Sequence, residues 1–290
     1  MTEQSHAIVR RLEEVDGFLV TDLPGADSAD GVVRCAKKVL VDSTKALARS
    51  RSYSWALLEQ RISGASGAVN ATGDSVEGSL GSFAAELAAD VASGALTLAA
   101  GKGVPDGALD GLGSVVQPDP ESLASGIVAC ISAALWGAPG DVKVAVEHDG
   151  GAGEQLVAQL ESAGASVTAT GPDAWDAPAE VLLFGSKAGV LDHQRAADLP
   201  QQLLVPTAPL AFTPRALAVA NRAGKVILAD FLTTAGPLAT RAGLDPAQRL
   251  GELTRSTLAS DQGAVLGACT LAEAYLSQWC DELPFGRPIG

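Results

Sequence analysis

The feature that most constrains the fold is a series of short, nearly unbroken apolar segments in the second half of the chain. Stretches with helical character separate them, and strands that are apolar on both faces are typical of a parallel sheet covered by helices. The strands are predicted at 142–147, 166–170, 181–185, 203–206 and 226–230. A helix predicted at 154–162 supplies the first right-handed crossover. The sequence therefore predicts a Rossmann-like domain with a doubly wound parallel sheet.

The first half of the chain has a mixed pattern. Its predicted elements are a short initial helix, a strand at 17–22, a turn at 24–31, a second strand at 32–36 and a helix at 41–60. The next helix places Leu80, Phe83, Leu87 and Val91 on one face, and we expect this stripe to be buried. A segment at 101–120 that is rich in Gly, Pro and Asp then interrupts the pattern and is expected to lead to the second domain.

A chain of 290 residues exceeds the usual size of a single hydrophobic core. We expect an N-terminal α/β domain over 1–125, the Rossmann-like domain over 126–240 and a helical segment over 241–290. Helical periodicity returns in this last segment, and its helices are expected to pack back on the first domain or on a partner.

The charge of the chain excludes two classes of partner. Its formal net charge is -14 and its pI is near 4.5. A surface of that sign repels phosphate backbones and anionic lipid head groups, so neither nucleic acid nor a membrane is an expected partner. The alternative is that the acidity serves only to keep the protein soluble.

The four cysteines are far apart and form no C-x-x-C motif or Cys/His cluster. They are expected to be reduced and mostly buried, which fits a cytoplasmic protein, and no metal site is expected. Residues 1–17 contain no apolar core of the kind that export signals have, and the longest apolar run, 126–138, is too short to span a bilayer. We therefore expect neither an export signal nor a membrane anchor.

A glycine-rich turn follows the first strand of the predicted Rossmann-like domain. It reads V-A-V-E-H-D-G-G-A-G, where a dinucleotide-binding fold places its G-x-G-x-x-G turn. Gly150 and Gly153 correspond to the second and third glycines, with Gly151 between them. His148 stands at the first position, where its side chain would crowd the turn. Asp173 is the candidate to bind the ribose hydroxyls, with an ordinary surface aspartate as the alternative. The motif permits binding of NAD or NADP without establishing it.

Two later segments resemble the family of amino-acid dehydrogenases that act on Glu, Leu, Phe or Val. Residues 204–208 read L-V-P-T-A, which is similar to V-P-A-A, and residues 229–236 read A-D-F-L-T-T-A-G, which is similar to P-D-F-L-x-N-A-G-G. The family asparagine, which helps to hold substrate and nicotinamide, corresponds to Thr234. The second glycine corresponds to Pro237. The resemblance covers most of 32–236 in order.

The first domain carries a second part of this resemblance. Residues 47–56 read L-A-R-S-R-S-Y-S-W-A, which is similar to L-A-x-x-M-T-x-K-x-A. Residues 63–69, expected to form a Gly/Ala-rich loop, read S-G-A-S-G-A-V and are similar to G-G-G-K-G-G-I. The lysine that anchors the substrate carboxylate corresponds to Ser54, and the catalytic lysine corresponds to Ser66. A neutral serine hydroxyl does not supply the cationic stabilisation that a desolvated lysine gives.

One acidic position of the family is kept. The family's P-D motif, whose aspartate handles protons beside the substrate amine, resembles Pro118-Asp119. Asp119 is therefore the best catalytic candidate, with a turn aspartate as the alternative. Arg34, Arg51 or Arg61 can bind a carboxylate in bidentate fashion in place of the lost lysine, with a solvated surface arginine as the alternative for each.

The resemblance implies NAD or NADP as cofactor, an amino acid as substrate and a homo-oligomer as the assembly. It also implies a substrate or oligomerisation role for 1–125 and a dinucleotide-binding role for 126–240. Our leading hypothesis is an amino-acid-dehydrogenase-like protein that is repurposed or catalytically silent for oxidative deamination. Such a protein would bind a small amino-acid-like molecule or a partner subunit. The alternatives are a working NAD(P)-dependent oxidoreductase acting on an amino acid or imine, and a non-redox enzyme that uses the same cleft.

Overall fold

A computed structural model describes residues 7–137, 139–147, 151–283 and 286–289. The chain divides into two compact units. Unit 1 contains Met1–Pro118 and Tyr275–Arg287, and unit 2 contains Asp119–Ala274 and Pro288–Gly290. The segment 241–290, expected as a separate helical piece, is thus shared between the two units. Within the described ranges, no helix is both long enough and apolar enough to cross a membrane.

Unit 1 is built on a mixed five-stranded sheet with the order β1-β2-β4-β3-β5. Its strands are β1 (Ile8–Arg11), β2 (Gly17–Thr21), β3 (Ser28–Ala36), β4 (Ile62–Asn70) and β5 (Leu96–Ala100). Strands β3, β4 and β5 run parallel, whereas β1 and β2 pair antiparallel with each other and β2 pairs antiparallel with β4. Its two long helices are α1 (Val41–Leu57) and α2 (Ser75–Ala92).

The two helices cover opposite faces of β4. On the α2 side, Leu80, Phe83 and Leu87 are fully buried in a cluster with residues of the sheet, as their helical spacing predicts, and Val91 lies at its edge. On the other side, Ala48 of α1 belongs to a separate cluster with residues of β2 and β4. Strand β4 is therefore enclosed on both faces, which explains why its side chains are almost all small.

Four expectations for unit 1 are wrong. Residues 8–11 form the edge strand β1 rather than a helix, and strand β3 begins at Ser28, within the expected turn. Residues 63–69 belong to the central strand β4 rather than to a loop, and β5 lies in a stretch where no strand was expected. Glycine and alanine have low strand propensity, so β4 resembles a loop in sequence. Burial between two helices outweighs that propensity.

Unit 2 contains the expected parallel sheet, with the order β7-β6-β8-β9-β10. Its strands are β6 (Lys143–Val146), β7 (Ser166–Thr170), β8 (Val181–Phe184), β9 (Leu203–Pro206) and β10 (Val226–Ile227). The helices are α3 (Pro120–Ala134), α4 (Gly151–Ser162), α5 (His193–Asp198), α6 (Pro214–Arg222), α7 (Asp230–Thr233), α8 (Gly236–Arg241), α9 (Pro246–Leu258) and α10 (Ala264–Leu276). The Rossmann-like α/β prediction is confirmed.

The last strand of the sheet differs from its prediction. Strand β10 contains two residues, and Asp230 begins helix α7 instead of ending a strand. The Asp230 carboxylate accepts hydrogen bonds from the backbone N–H groups of Leu210 and Phe231, which turns the chain away from the sheet at this point. The end of the strand thus coincides with hydrogen bonds to the Asp230 side chain, one of them from a residue 20 positions earlier, although the sequence remains apolar.

Helices α8 and α9 pack against α3 within unit 2. The contact with α8 is made at Gly236, where an added Cβ atom would lie 2.1 Å from the carbonyl oxygen of Ser122. Only a glycine allows the backbones of α3 and α8 to come this close.

The first prediction tests the approach of α1 to β4. A Cβ atom at position 64 would lie 1.8 Å from the carbonyl oxygen of Ala48, whereas one at Gly78 of α2 would meet nothing within 4 Å. We expect Gly64→Ala to lower the free energy of unfolding by about 3 kcal/mol or more, because backbone atoms have to move. Gly78→Ala should leave it unchanged or raise it by up to about 1 kcal/mol. Urea unfolding measures both, and equal effects would contradict the close contact.

Candidate functional site

Ser54 and Ser66, which the resemblance aligns with the family's lysines, are both buried in unit 1. Ser54 lies on α1, is 3% exposed, and its hydroxyl donates to the carbonyl oxygen of Ser50 at 3.2 Å. Ser66 lies on β4, is 1% exposed, and its hydroxyl is 3.5 Å from the carbonyl oxygen of Val32. Ser66 precedes Ala68 by two residues and so shares with it the face that α1 covers. Small neutral groups thus occupy both positions.

Arg51, a candidate to bind a substrate carboxylate, is held by an acid within unit 1. Its Nε is 2.6 Å from Oδ2 of Asp30, which is 3% exposed on the side chain. The indole N–H of Trp55 donates to the same oxygen at 3.0 Å. This ion pair joins α1 to β3, so it gives Arg51 a structural role, and its role towards a substrate stays a prediction.

The other two candidate arginines, Arg61 and Arg34, differ in whether a carboxylate lies nearby. Arg61 lies 3.6 Å from Asp27 and over the ring of Trp279. The half-buried Arg34 has no carboxylate within ion-pair distance in the part of the chain that the structure describes. Its Nη2 donates to the Thr44 hydroxyl at 3.5 Å, its buried Nε has no hydrogen-bond partner there, and burial lowers the pKa of its guanidinium. Arg34 is therefore the candidate whose charge remains available to a carboxylate.

The second prediction compares how much a buried and an exposed ion pair contribute to the free energy of unfolding. Replacing Arg51 with Ala leaves the carboxylate of Asp30 buried without its cation, so we expect a loss of roughly 3 kcal/mol in the free energy of unfolding. The matched control is Arg10→Ala, because Arg10 pairs with Asp90 at the same 2.6 Å but both side chains are more than 40% exposed. That pair should contribute less than about 1 kcal/mol. Urea unfolding of the two variants measures the difference; similar losses would rule out a structural role for the buried pair.

In unit 2, the order of the strands defines where a ligand would bind. Strand β7 lies on one side of β6, whereas β8, β9 and β10 lie on the other. After β6, the chain adds β7 on one side and then β8, β9 and β10 on the other. The carboxyl ends of β6 and β8 therefore form a topological switch point. Open α/β sheets bind their ligands in the crevice at such a point.

A carboxylate stands at this switch point. Glu147 directly follows β6, and its Oε2 accepts hydrogen bonds at 3.0 Å from the backbone N–H groups of Gly185 and Ser186, which follow β8. The Ser186 hydroxyl donates to the other oxygen of the same carboxylate. Glu147 is only 9% exposed. No salt bridge between described residues includes it.

A cavity of about 640 Å³ opens beside this carboxylate. Its aromatic and polar lining residues are Glu147, Trp175, Asp176, Ser186, Arg195 and Asp198. The Arg195 guanidinium lies over the Trp175 ring, 4.2 Å from the ring centroid. Of the described lining residues, three carry a carboxylate and one a guanidinium, so their summed charge is negative.

The residues predicted to bind a dinucleotide differ in where they lie. Gly151 begins helix α4 and Gly153 lies in its first turn, while His148 and Gly150 lie outside the described residues. Asp173 is exposed in the turn after β7, and Asp176 is the aspartate of that loop that lines the cavity. The carboxylate of Glu147 at the switch point does not fit beside the diphosphate of NAD or NADP, because two negative charges a few ångström apart repel each other. Sequence reasoning missed Glu147, although its place between an apolar strand and a glycine turn was visible.

Two further candidates make local contacts in unit 2. Asp119 caps the N-terminus of α3, where its Oδ1 accepts a hydrogen bond from the backbone N–H of Ser122 at 3.0 Å. Thr234 follows α7, and its hydroxyl donates to the carbonyl oxygen of Asp230 at 2.7 Å. Both side chains are half-buried. Their roles towards protons and substrate stay predictions. Among described residues, no group of three or more His, Cys, Asp and Glu side chains is placed to hold a metal ion.

The third prediction concerns the buried Asp230 carboxyl group. Burial raises its pKa from 3.8 to about 6, despite the N–H groups that Leu210 and Phe231 direct at it. The folded state therefore keeps a proton that the unfolded state releases near pH 4. Relative to Asp230→Asn, the free energy of unfolding of the wild type should fall by roughly 3 kcal/mol between about pH 4 and about pH 7.

Urea unfolding at a series of pH values measures this difference for Asp230. Replacing the exposed Asp261 with Asn controls for the loss of one charge. A difference that grows as the pH rises would mean that the two N–H groups stabilise the ionised form more than burial destabilises it.

The arrangement of parallel strands and flanking helices is that of the amino-acid dehydrogenases. A hetero-hexameric glutamate dehydrogenase from Thermus thermophilus superimposes with a TM-score of 0.76 and 17% identity over 95% of this chain and 88% of that one. An L-tryptophan dehydrogenase from Nostoc punctiforme superimposes with a TM-score of 0.77 and 15% identity over 94% of this chain and 96% of that one. The chain thus has the amino-acid dehydrogenase fold.

A third structure, a glutamate dehydrogenase, gives a TM-score of 0.77 and 16% identity over 96% of this chain and 87% of that one. No protein-family model matches the sequence, and no curated protein does. The likeness in structure therefore establishes the fold and leaves the chemistry to be argued from the site.

Proposed function

We propose that this protein is amino-acid-dehydrogenase-like in fold, does not catalyse oxidative deamination, and binds a small amino-acid-like molecule. The observation that carries the proposal is the burial of a neutral serine at each of the two lysine positions, Ser54 and Ser66. The Ser54 hydroxyl donates to the backbone carbonyl of Ser50, and the Ser66 hydroxyl lies 3.5 Å from that of Val32.

The chemistry explains why these two positions matter. Oxidative deamination moves a hydride from the α-carbon to a nicotinamide and then adds water to the resulting imine. A nearby ammonium group stabilises the negative charge that develops on oxygen and lowers the pKa of the attacking water. The lysine that corresponds to Ser66 has this role, whereas the lysine that corresponds to Ser54 anchors the substrate carboxylate. A serine hydroxyl carries no charge, so neither serine replaces its lysine, and loss of the catalytic group alone reduces turnover by about 10²–10³-fold.

An amino-acid-like ligand still needs a cation for its carboxylate, and Arg34 can supply one. Among Arg34, Arg51 and Arg61, it is the arginine without an acidic neighbour in the described ranges. Its guanidinium can bind a carboxylate through two parallel hydrogen bonds. Partial burial strengthens such a contact because less water competes for it.

The fourth prediction tests the proposed function directly. A panel of amino acids with NAD⁺ and with NADP⁺ should give no rise in the absorbance of reduced nicotinamide. Calorimetric titration with the same panel should detect binding of at least one amino acid, and Arg34→Gln should weaken it by about ten-fold or more. Arg11→Ala, an exposed arginine of β1, is the control and should bind like the wild type.

Two other results would favour one of the alternatives, and the first of them would exclude the proposal. Rapid nicotinamide reduction would support a working oxidoreductase in which Asp119 handles protons. Substrate turnover without any change in nicotinamide absorbance would support a non-redox enzyme. Thermal melts of each variant establish that a loss of binding does not reflect unfolding.

We also propose that the chain forms a homo-oligomer. The Thermus thermophilus dehydrogenase with the same fold is described as hetero-hexameric, which supports an assembly of several chains. Light scattering of the purified protein distinguishes a monomer from an oligomer.

A further inference from the structure

We propose that Glu147 makes the crevice at the switch point of unit 2 selective against phosphate-bearing ligands, so that this site takes an uncharged or cationic molecule. The proposal goes beyond the proposed function, because it concerns which ligands unit 2 binds; amino-acid binding through Arg34 and the exclusion of phosphate by Glu147 are tested separately. It assigns to Glu147 the role of a specificity-determining residue.

The carboxylate of Glu147 lies where an open parallel sheet binds its ligand. In an open parallel sheet, a ligand lies across the carboxyl ends of the strands at the switch point, here β6 and β8. Glu147 spans that gap, because it follows β6 and accepts hydrogen bonds from the backbone N–H groups of Gly185 and Ser186. Those two N–H groups are suitable donors for an anion, and an internal anion already engages them.

The charged side chains around Glu147 also disfavour a phosphate group. No described cation lies within ion-pair distance of Glu147, and Asp176 and Asp198 add two further carboxylates to the cavity wall. Among the described lining residues, the cationic side chain is that of Arg195, which stacks on Trp175. A phosphate group would therefore meet more negative than positive charge.

The repulsion between Glu147 and a phosphate group can be measured as the ratio of the affinities of a Glu147 variant and of the wild type for the same ligand. At the effective dielectric constant near a protein surface, two like charges a few ångström apart reduce affinity by more than about ten-fold. A ligand with hydroxyl or ammonium donors meets no such repulsion. The cavity of about 640 Å³ can hold a molecule of nucleoside size.

The fifth prediction uses two variants and a matched control. Glu147→Gln keeps the shape of the side chain and removes its charge, and Glu147→Ala removes both. The control is Glu180→Gln, because Glu180 also accepts a backbone hydrogen bond, from Lys143 at 2.8 Å, but at the amino end of the sheet. Calorimetric titration with NADH, ADP-ribose, inorganic pyrophosphate and adenosine compares these variants with the wild type.

We expect both Glu147 variants to bind the three phosphate-bearing probes at least about ten-fold more tightly than the wild type does. Glu180→Gln should match the wild type, and the affinity for adenosine, which has no phosphate, should not change. The proposal is overturned if the wild type binds NADH as tightly as the variants, or if neither Glu147 variant gains affinity. An equal gain for adenosine would also overturn it, because the cause would then be space rather than charge. Thermal melts confirm that the variants are folded.

Discussion

The close approach of helix α1 to strand β4 is the contact on which unit 1 depends. It requires glycine at position 64, where any Cβ atom would collide with the backbone of α1. Ser66 lies two residues further along the same covered face, and Ser54 lies on α1 itself. The packing that holds the unit together therefore also surrounds the positions where the resemblance places cationic chemistry. A charged side chain there would need a partner or water, and a small hydroxyl needs only a nearby carbonyl oxygen.

The sequence predicts the parallel sheet of unit 2 well, because strands that are buried on both faces leave a readable apolar pattern. It does not predict β4, because a strand enclosed between two helices can be made of Gly, Ala and Ser, which have the composition of a loop. The ion pair of Arg51 with Asp30 was also missed, since 21 residues separate the two partners in sequence. Glu147 was missed for a different reason: a single acid has no periodicity, and its importance follows only from the strand order.

This chain shows how a fold can keep its architecture while most of its residues differ. The similar structures share 15–17% of residues with this chain and still superimpose over nearly all of it. Apolar burial and backbone pairing are satisfied by many residues of the right size, so they survive extensive substitution. Catalysis and ligand charge depend on single groups. A serine in place of a lysine, or a carboxylate at the end of β6, leaves the sheet intact and alters what it can bind.

Gly236 gives this contrast a consequence for how sequence motifs are interpreted. It belongs to the A-D-F-L-T-T-A-G segment that resembles a substrate-binding motif, yet its place is determined by the backbone of α3 lying 2.1 Å from where a Cβ atom would be. The glycine is a packing requirement, whereas Thr234, two residues earlier, is the position that the resemblance aligns with a ligand-binding asparagine. One residue of a short motif can therefore be required by the way two helices pack, whatever the chemistry of its neighbour.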